Sequence, residues 1–299
     1  MSIKDFLNEA TNKLKDNNID DASIKAKELL AYLLKKDKQF LVINADKPID
    51  TEVADLYDNS INKIINGVPL QYITHNQEFM KLNFYVDSNV LIPQPDTEIL
   101  VEETINIIKS NNFFNKEIKV LDLCTGSGAI AVSISKYTNA NVYASDISEN
   151  ALEIAQKNAK LNNAEIKFIL SDMFNNIKEQ FDVIVSNPPY IESNVIKTLP
   201  KDVQSEPILA LDGGKDGLNF YRKIADNAYN YLSENSFICM EIGYNQKNDV
   251  IEILNKTNKY KNIKTVKDLS GNDRCIIANK RSWCYEQYLI LSIYKKWIK

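Results

Sequence analysis

Along the first 66 residues apolar side chains recur at intervals of three and four, the spacing of helices that bury one face. Ile3, Phe6, Leu7 and Leu14 share one stripe. Ile24, Leu30, Leu33 and Leu34 share a second, with Asp20 or Asp21 placed to cap it, and Val53, Leu56, Ile61, Ile64 and Ile65 follow Thr51 in a third. Gly67-Val68-Pro69 stops this helical part. It has no glycine before Gly67 and no polar cluster suited to chemistry, so it reads as a packing or docking module. Residues 78–92, EFMKLNFYVDSNVLI, are aromatic and β-branched and predict a short hairpin with Asp87-Ser88-Asn89 as its turn. Pro93 and Pro95 then lead into a helix capped by Thr97 or Asp96, whose apolar face begins with Ile99, Leu100 and Val101. From residue 118 short apolar strands (118–123, 141–145, 166–170, 181–185, 236–242, 274–278) alternate with helices (129–137, 149–161, 218–232, 249–255). Ser148 stands at an N-cap. This alternation predicts an α/β fold, a doubly wound and mostly parallel sheet covered on both faces.

Composition narrows the picture. The chain has 299 residues, 44% hydrophobic and 25% charged, which is normal for a soluble globule with a real core. Thirty-six basic against 40 acidic residues give a net charge of −4. That balance lacks the basic footprint of phosphate binding, so direct nucleic-acid binding is not expected. Cys124, Cys239, Cys275 and Cys284 form no C-x-x-C pair and lie far from His75, the sole histidine, so no metal site is expected. Few, scattered cysteines fit a reducing compartment. The N-terminus shows no unbroken apolar region of a signal peptide. The longest strongly apolar stretch, Tyr288 to Tyr294, falls far short of the roughly 20 residues of a spanning helix. A cytoplasmic location with no membrane contact is the expectation.

Candidate chemistry starts at Cys124-Thr125-Gly126-Ser127-Gly128, directly after the first strand of the sheet, where doubly wound folds bind ligands. Gly126 and Gly128 let the backbone turn sharply and approach a ligand closely. Asp146 ends the second strand, where a carboxylate accepts from both hydroxyls of a ribose. The dinucleotide fingerprint wants a third glycine at 131, where Ala131 is a tolerated variant. Asp122, inside the strand end, would repel a pyrophosphate and suits a cationic, amino-acid-bearing ligand. S-adenosylmethionine carries both an ammonium and a sulfonium.

The fourth strand runs into Ser186-Asn187-Pro188-Pro189-Tyr190. Two prolines remove two backbone donors and lock φ near −65°, which stiffens the loop. The Pro188 carbonyl and the Asn187 side-chain oxygen are two acceptors, and Tyr190 offers a flat face for stacking. Such a set suits a planar group bearing NH₂, an amide or an exocyclic base amine. An amide nitrogen is a poor nucleophile because its lone pair is delocalised. Accepting a hydrogen bond from each N–H returns electron density to nitrogen and positions it for in-line methyl transfer. No general base is needed first, because the methylated nitrogen is acidic afterwards, and no His or Cys lies near this segment. The alternative is an adenine-N6 DNA methyltransferase acting on a flipped base. That enzyme needs a target-recognition region and a basic cleft, whereas after Tyr190 only the rest of the sheet and a short tail are expected and the net charge is negative.

Further segments make the likeness specific. They are Pro69-Leu70-Gln71-Tyr72-Ile73, Glu78-Phe79, Leu91-Ile92-Pro93-Gln94-Pro95-Asp96-Thr97-Glu98, Ser171-Asp172-Met173-Phe174, Glu206-Pro207, Ala210 to Gly214 with Asp216-Gly217-Leu218, Glu241-Ile242-Gly243 and Asp268 to Arg274. With the glycine loop and Asn187-Pro188-Pro189-Tyr190-Ile191, the chain resembles the release factor glutamine methyltransferase family, the PrmC/HemK type, over about residues 20 to 280. The resemblance implies methylation of the side-chain nitrogen of the glutamine in the Gly-Gly-Gln loop of peptide chain release factors. It implies a Rossmann-like, seven-stranded methyltransferase domain at 93–280, after a helical substrate-docking domain at 1–75 and a hairpin linker at 76–92. Residues 281–299 would form a C-terminal extension. Cofactor contacts map onto Cys124, Thr125, Gly126, Ser127, Gly128, Asp146, Asp172 or Met173, and Asn187. Catalysis falls to Asn187, Pro188 and Tyr190, and substrate contact to Asn187, Pro188, Pro189 and Tyr190. Two positions depart from the family pattern: Gln94 where arginine is usual, and His75 where glycine is typical, which reads as a surface turn.

Overall fold

A computed structural model describes residues 1–110 and 117–282, so most of the expected extension lies outside the described residues. The chain forms two compact units, one of residues 1–93 with 194–211, the other of 94–193 with the chain from 212 onward.

In the first unit the helices are α1 (Ile3–Asp16), α2 (Ala22–Leu34), α3 (Lys38–Ile43), α4 (Thr51–Ile65) and α5 (Leu70–Thr74). A capping box opens α1: Asp5 N–H donates to Ser2 Oγ and Ser2 N–H donates to Asp5 Oδ2. The core gathers Leu14, Ala26, Leu29, Leu30, Tyr57 and Ile61. Ile24 and Leu56, expected inward, are 54% and 50% exposed. In α2 the inward face is taken by Ala22, Ala26, Leu29 and Leu30, and in α4 by Tyr57, Ser60, Ile61 and Ile64, which leaves Ile24 and Leu56 off those faces. The Tyr57 hydroxyl, donating to the Ala26 carbonyl at 3.0 Å, ties the face that turns in.

Strands β1 (Gln77–Phe79) and β2 (Leu82–Phe84) pair antiparallel across Met80-Lys81. Asp87-Ser88-Asn89, expected as the hairpin turn, instead forms a separate turn after it, with Asn89 N–H donating to Asp87 Oδ1 at 2.9 Å. Met80 and Lys81 both have positive φ, 52° and 60°, a conformation usually signalled by Asn-Gly, and so leave no trace in the sequence. Burial of Phe79 and Phe84, edge to face at 6.0 Å, holds the register. His75 caps α5 in the left-handed region (φ 51°), which explains why glycine suits that position. Its ring stacks on Tyr85 at 5.1 Å, exposed and in a turn as expected.

The second unit runs α6 (Glu98–Ser110), β3 (Lys119–Leu123), α7 (Ala129–Tyr137), β4 (Asn141–Asp146), α8 (Glu149–Leu161), β5 (Ile166–Leu170) and β6 (Phe181–Ser186). Two short helices, α9 (Lys201–Gln204) and α10 (Ile208–Leu211), intervene and belong to the first unit. The second unit resumes with α11 (Asn219–Tyr231), β7 (Leu232–Glu241), α12 (Lys247–Thr257), β8 (Tyr260–Lys267) and β9 (Asp273–Lys280). Its seven strands are ordered β5-β4-β3-β6-β7-β9-β8, parallel except for β9, which runs antiparallel to both neighbours. The doubly wound α/β architecture is therefore as the alternation predicts. The hydrophobic pattern passed over β8, because it is an edge strand whose Lys261, Lys264 and Lys267 face solvent. Among the described residues no helix is long and apolar enough to cross a membrane.

From β3 the chain winds outward through β4 and β5, then returns to place β6 on the other side of β3. The switch point, where such sheets bind ligands, therefore lies between β3 and β6. Leu123 pairs with Ser145 and with Ser186, and Ser186 pairs with Met240. The carboxyl ends of four strands thus form one row.

Candidate active site

Everything that leaves this row leaves on the same edge. Cys124, Asp146, Asn187 and Glu241 each follow or end a strand there, with neighbouring strands about 4.8 Å apart. The glycine loop and the Asn-Pro-Pro-Tyr segment, separate in sequence, are adjacent. Ser186 Oγ donates to the Leu123 carbonyl at 2.6 Å and locks the two strand ends together.

The glycine loop is shaped from below by Asp122. This carboxyl is buried, and its Oδ2 accepts from Thr125 Oγ1 at 2.5 Å and from Ala131 N–H at 3.1 Å, joining loop to helix α7. Burial pushes Asp122 up to about 7, against the pull of those two donors. Its Oδ1 has no hydrogen-bond partner. Asp122 therefore works as an internal staple, inside the strand end where the sequence places it. Cys124, Gly126 and Gly128 all adopt positive φ. A Cβ on Gly128 would stand 3.0 Å from Ala155 Cβ, so glycine lets α8 pack closely. A Cβ on Gly126 would meet nothing within 4 Å, so open space lies beside that residue. Burial pushes the Cys124 thiol well above its ordinary value, which leaves it inert as a nucleophile.

Asp146 accepts from Gly126 N–H through Oδ2 and from Ser148 N–H through Oδ1, both at 2.9 Å. A carboxylate has about four lone-pair sites, so each oxygen can still accept one bond from a diol. Asp172 is exposed, and Met173 is buried with its sulfur 4.0 Å from the Cys124 sulfur. Open space beside Gly126 and spare acceptors on Asp146 fit a nucleoside-bearing cofactor.

Across the switch point, Asn187 is half-buried and Pro188 and Pro189 are buried. Asn187 Nδ2 donates to Thr97 Oγ1 at 3.2 Å, which leaves Oδ1 as the end that accepts. The Tyr190 hydroxyl donates to Glu241 Oε1 at 3.4 Å. Burial, then the nearby Glu241, pushes the Tyr190 phenol up, so it stays protonated. Behind the ring, Gln246 Nε2 donates to the Tyr190 carbonyl at 3.0 Å. A Cβ on Gly217 would come within 2.4 Å of that same carbonyl.

Sequence reasoning missed part of this site. Thr97, expected as a helix cap, ends a 3-10 turn (Pro95–Thr97), and its hydroxyl oxygen accepts from Asn187 Nδ2. Arg274 pairs with Asp96 at 2.9 Å and with Asp268 at 3.1 Å. Glu241, 2% exposed, ends β7 directly after its apolar run Phe237 to Met240. An acid in that position repeats the pattern of Asp146, and that was the available signal.

Comparison with known proteins fits this architecture. Residues 5–74 match the PrmC N-terminal domain and residues 97–203 the methyltransferase small domain. A methyltransferase of known crystal structure from Pyrococcus furiosus shares the fold, with a TM-score of 0.52 and 21% identity over 75% of this chain and 99% of that one. A release factor glutamine methyltransferase from Clostridium acetobutylicum is 41% identical over 93% of this chain and 98% of its own length. One from Clostridium botulinum is 41% identical over 94% of this chain and 100% of its own. With that identity along nearly the whole of both sequences, the chain belongs to the release factor glutamine methyltransferase family.

Proposed function

We propose that this enzyme transfers a methyl group from S-adenosylmethionine to the side-chain amide nitrogen of the glutamine in the Gly-Gly-Gln loop of a peptide chain release factor. One observation carries the reading: the pairing of Leu123 with Ser186 sets the glycine bend beside an acceptor pair stiffened by two prolines. S-adenosylmethionine, when bound, supplies an electrophilic methyl on a sulfonium. Cys124 to Gly128, Asp146 and Asp172 or Met173 hold it, with Asp146 accepting from the ribose hydroxyls.

Asn187 Oδ1 and the Pro188 carbonyl accept from the two N–H bonds of the substrate amide, and Tyr190 stacks on its plane. These contacts localise the nitrogen lone pair and aim it at the glycine bend. Orientation of this kind contributes several kcal/mol, roughly 7 to 11 when it is near ideal. The methylated nitrogen then loses a proton readily, so the residues need only bind and orient.

The adenine-N6 reading is not favoured, because relatives 41% identical along nearly the whole chain are named for a protein substrate. Mass spectrometry of the Gly-Gly-Gln peptide after incubation with labelled methyl donor and release factor tests the proposal. A 14 Da gain on the glutamine is expected. Label entering duplex DNA and not the protein would overturn it.

A further inference from the structure

Two segments that carry the family likeness, Ala210 to Leu218 and Glu241-Ile242-Gly243, have no role in the transfer as described so far. Both close on the backbone of Tyr190. A Cβ on Gly213 would stand 2.7 Å from Tyr190 Cα, and one on Gly217 would strike the Tyr190 carbonyl, so glycine alone lets this peptide seat. Gly213 N–H also donates to the Ile191 carbonyl at 2.8 Å, which anchors the next residue. Gln246, a buried side chain directly before α12, completes the enclosure. We propose that Gln246, closing this glycine socket, is a positioning residue that fixes the plane of the Tyr190 ring for methyl transfer. The proposal rests on the amide-methylation reading above.

The Gln246 carboxamide fits this place one way round. Its Nε2 donates to the Tyr190 carbonyl at 3.0 Å and to the Gly217 carbonyl at 3.3 Å. Its Oε1 accepts from Gly243 N–H at 3.0 Å. A backbone carbonyl can only accept and a backbone N–H can only donate, so turning the amide over would break all of these contacts. The side chain is also held against swinging. Gln246 N–H donates back to the Gly243 carbonyl at 2.9 Å, and a Cβ on Gly243 would stand 2.8 Å from Oε1. The Tyr221 hydroxyl, which donates to the Glu241 carbonyl at 3.0 Å, lies 3.4 Å from Oε1.

The chain that leaves β7 therefore holds Tyr190 at both ends: Glu241 takes the phenol hydroxyl, and Gln246 takes the peptide carbonyl. A ring pinned only at its tip could pivot about that point. Pinned at its backbone as well, it presents one plane. The substrate amide must lie on that plane while its nitrogen faces the glycine bend, and a misplacement of about 1 Å costs roughly 10²-fold in rate. The polar atoms of Gln246 are engaged within the protein, so its loss acts through Tyr190. That lowers kcat and leaves the docking of a protein substrate, and with it KM, nearly unchanged.

A double-mutant cycle on the full-length enzyme, with Tyr190→Ala and Gln246→Met, tests this. Gln246→Met fills similar space without the hydrogen bonds. It should lower kcat roughly 10- to 100-fold, with KM for release factor and cofactor affinity by calorimetry within about threefold. In the Tyr190→Ala background the same change should cost less than about twofold, because the group it positions is gone. Equal losses in both backgrounds overturn the inference, and so does wild-type kcat in Gln246→Met. If Gln246→Met does not fold, Gln246→Glu carries the same cycle, since it keeps an acceptor for Gly243 N–H and replaces two donors by at most one. A further readout needs no substrate. In protein labelled with 3-fluorotyrosine, the Tyr190 fluorine resonance, assigned by its loss in Tyr190→Phe, should shift and broaden in Gln246→Glu. An unchanged resonance sinks the inference whatever the substrate is. A wild-type enzyme that leaves release factor unmodified overturns the substrate reading instead.

Discussion

Asn187 can assist an amide only while its oxygen faces the ligand, and its amide hydrogens already have a partner in Thr97. Asn187→Ala should therefore abolish labelled methyl transfer, a loss of about 10²–10³-fold or more, and spare cofactor affinity measured by calorimetry. Unchanged turnover would contradict the role. The two glycines of the bend should respond in different ways. Gly128→Ala adds a Cβ 3.0 Å from Ala155 Cβ at φ 81°, and should cost about 1–3 kcal/mol in urea denaturation. Gly126→Ala meets no neighbour, so it should cost less stability, about 1 kcal/mol for its φ of 54°, but weaken cofactor binding because its methyl enters the open space.

Elements whose residues repeat with a clear period needed nothing beyond the sequence. Helices α7 and α8 and strand β5 have the spans that the apolar pattern predicts, and Ser148 caps α8 by accepting from Ala151 N–H. Four features escaped, for three reasons. Helices α3 and α5, of six and five residues, are too short to show a period. Strand β8 carries the charges of an exposed edge. The hairpin turn places Met80 and Lys81 at positive φ without the residues that favour it. Lys81→Gly should consequently raise stability by about 0.5–1 kcal/mol in thermal unfolding, because glycine adopts φ 60° without a Cβ penalty. A lower midpoint would mean that the lysine side chain, not the backbone, sets the turn.

Across the whole molecule, buried carboxyls make stability depend on pH in an unusual direction. In the helical unit, Glu206 accepts from Ile92 N–H at 2.8 Å, and burial is the main force pushing it up to about 7. Asp122 and Glu241 are raised likewise in the sheet unit. A carboxyl raised above its ordinary value near 4 keeps its proton in the native state while the unfolded chain releases it. Its contribution is complete below about pH 4 and disappears as pH rises through about 7. Glu206→Gln keeps an acceptor for Ile92 N–H and removes the titration. Between pH 5.5 and 8 the wild-type Tm should fall further than that of the variant, as followed by circular dichroism. Equal slopes would show that Glu206 does not titrate in that range.

What could be read along the chain was local. Periodicity identified most helices and strands, and Gly126, Asp146 and Asn187 were legible because their chemistry depends on residue type at strand ends. What could not be read was pairing between distant segments. Thr97 and Asn187 stand 90 positions apart, and only the order β3-β6-β7 brings the glycine bend, the acceptor amide and Glu241 onto one edge. Strand order follows from how apolar faces pack in three dimensions. The partners that orient a polar group are therefore settled by the fold, even when the group itself is plain in the sequence.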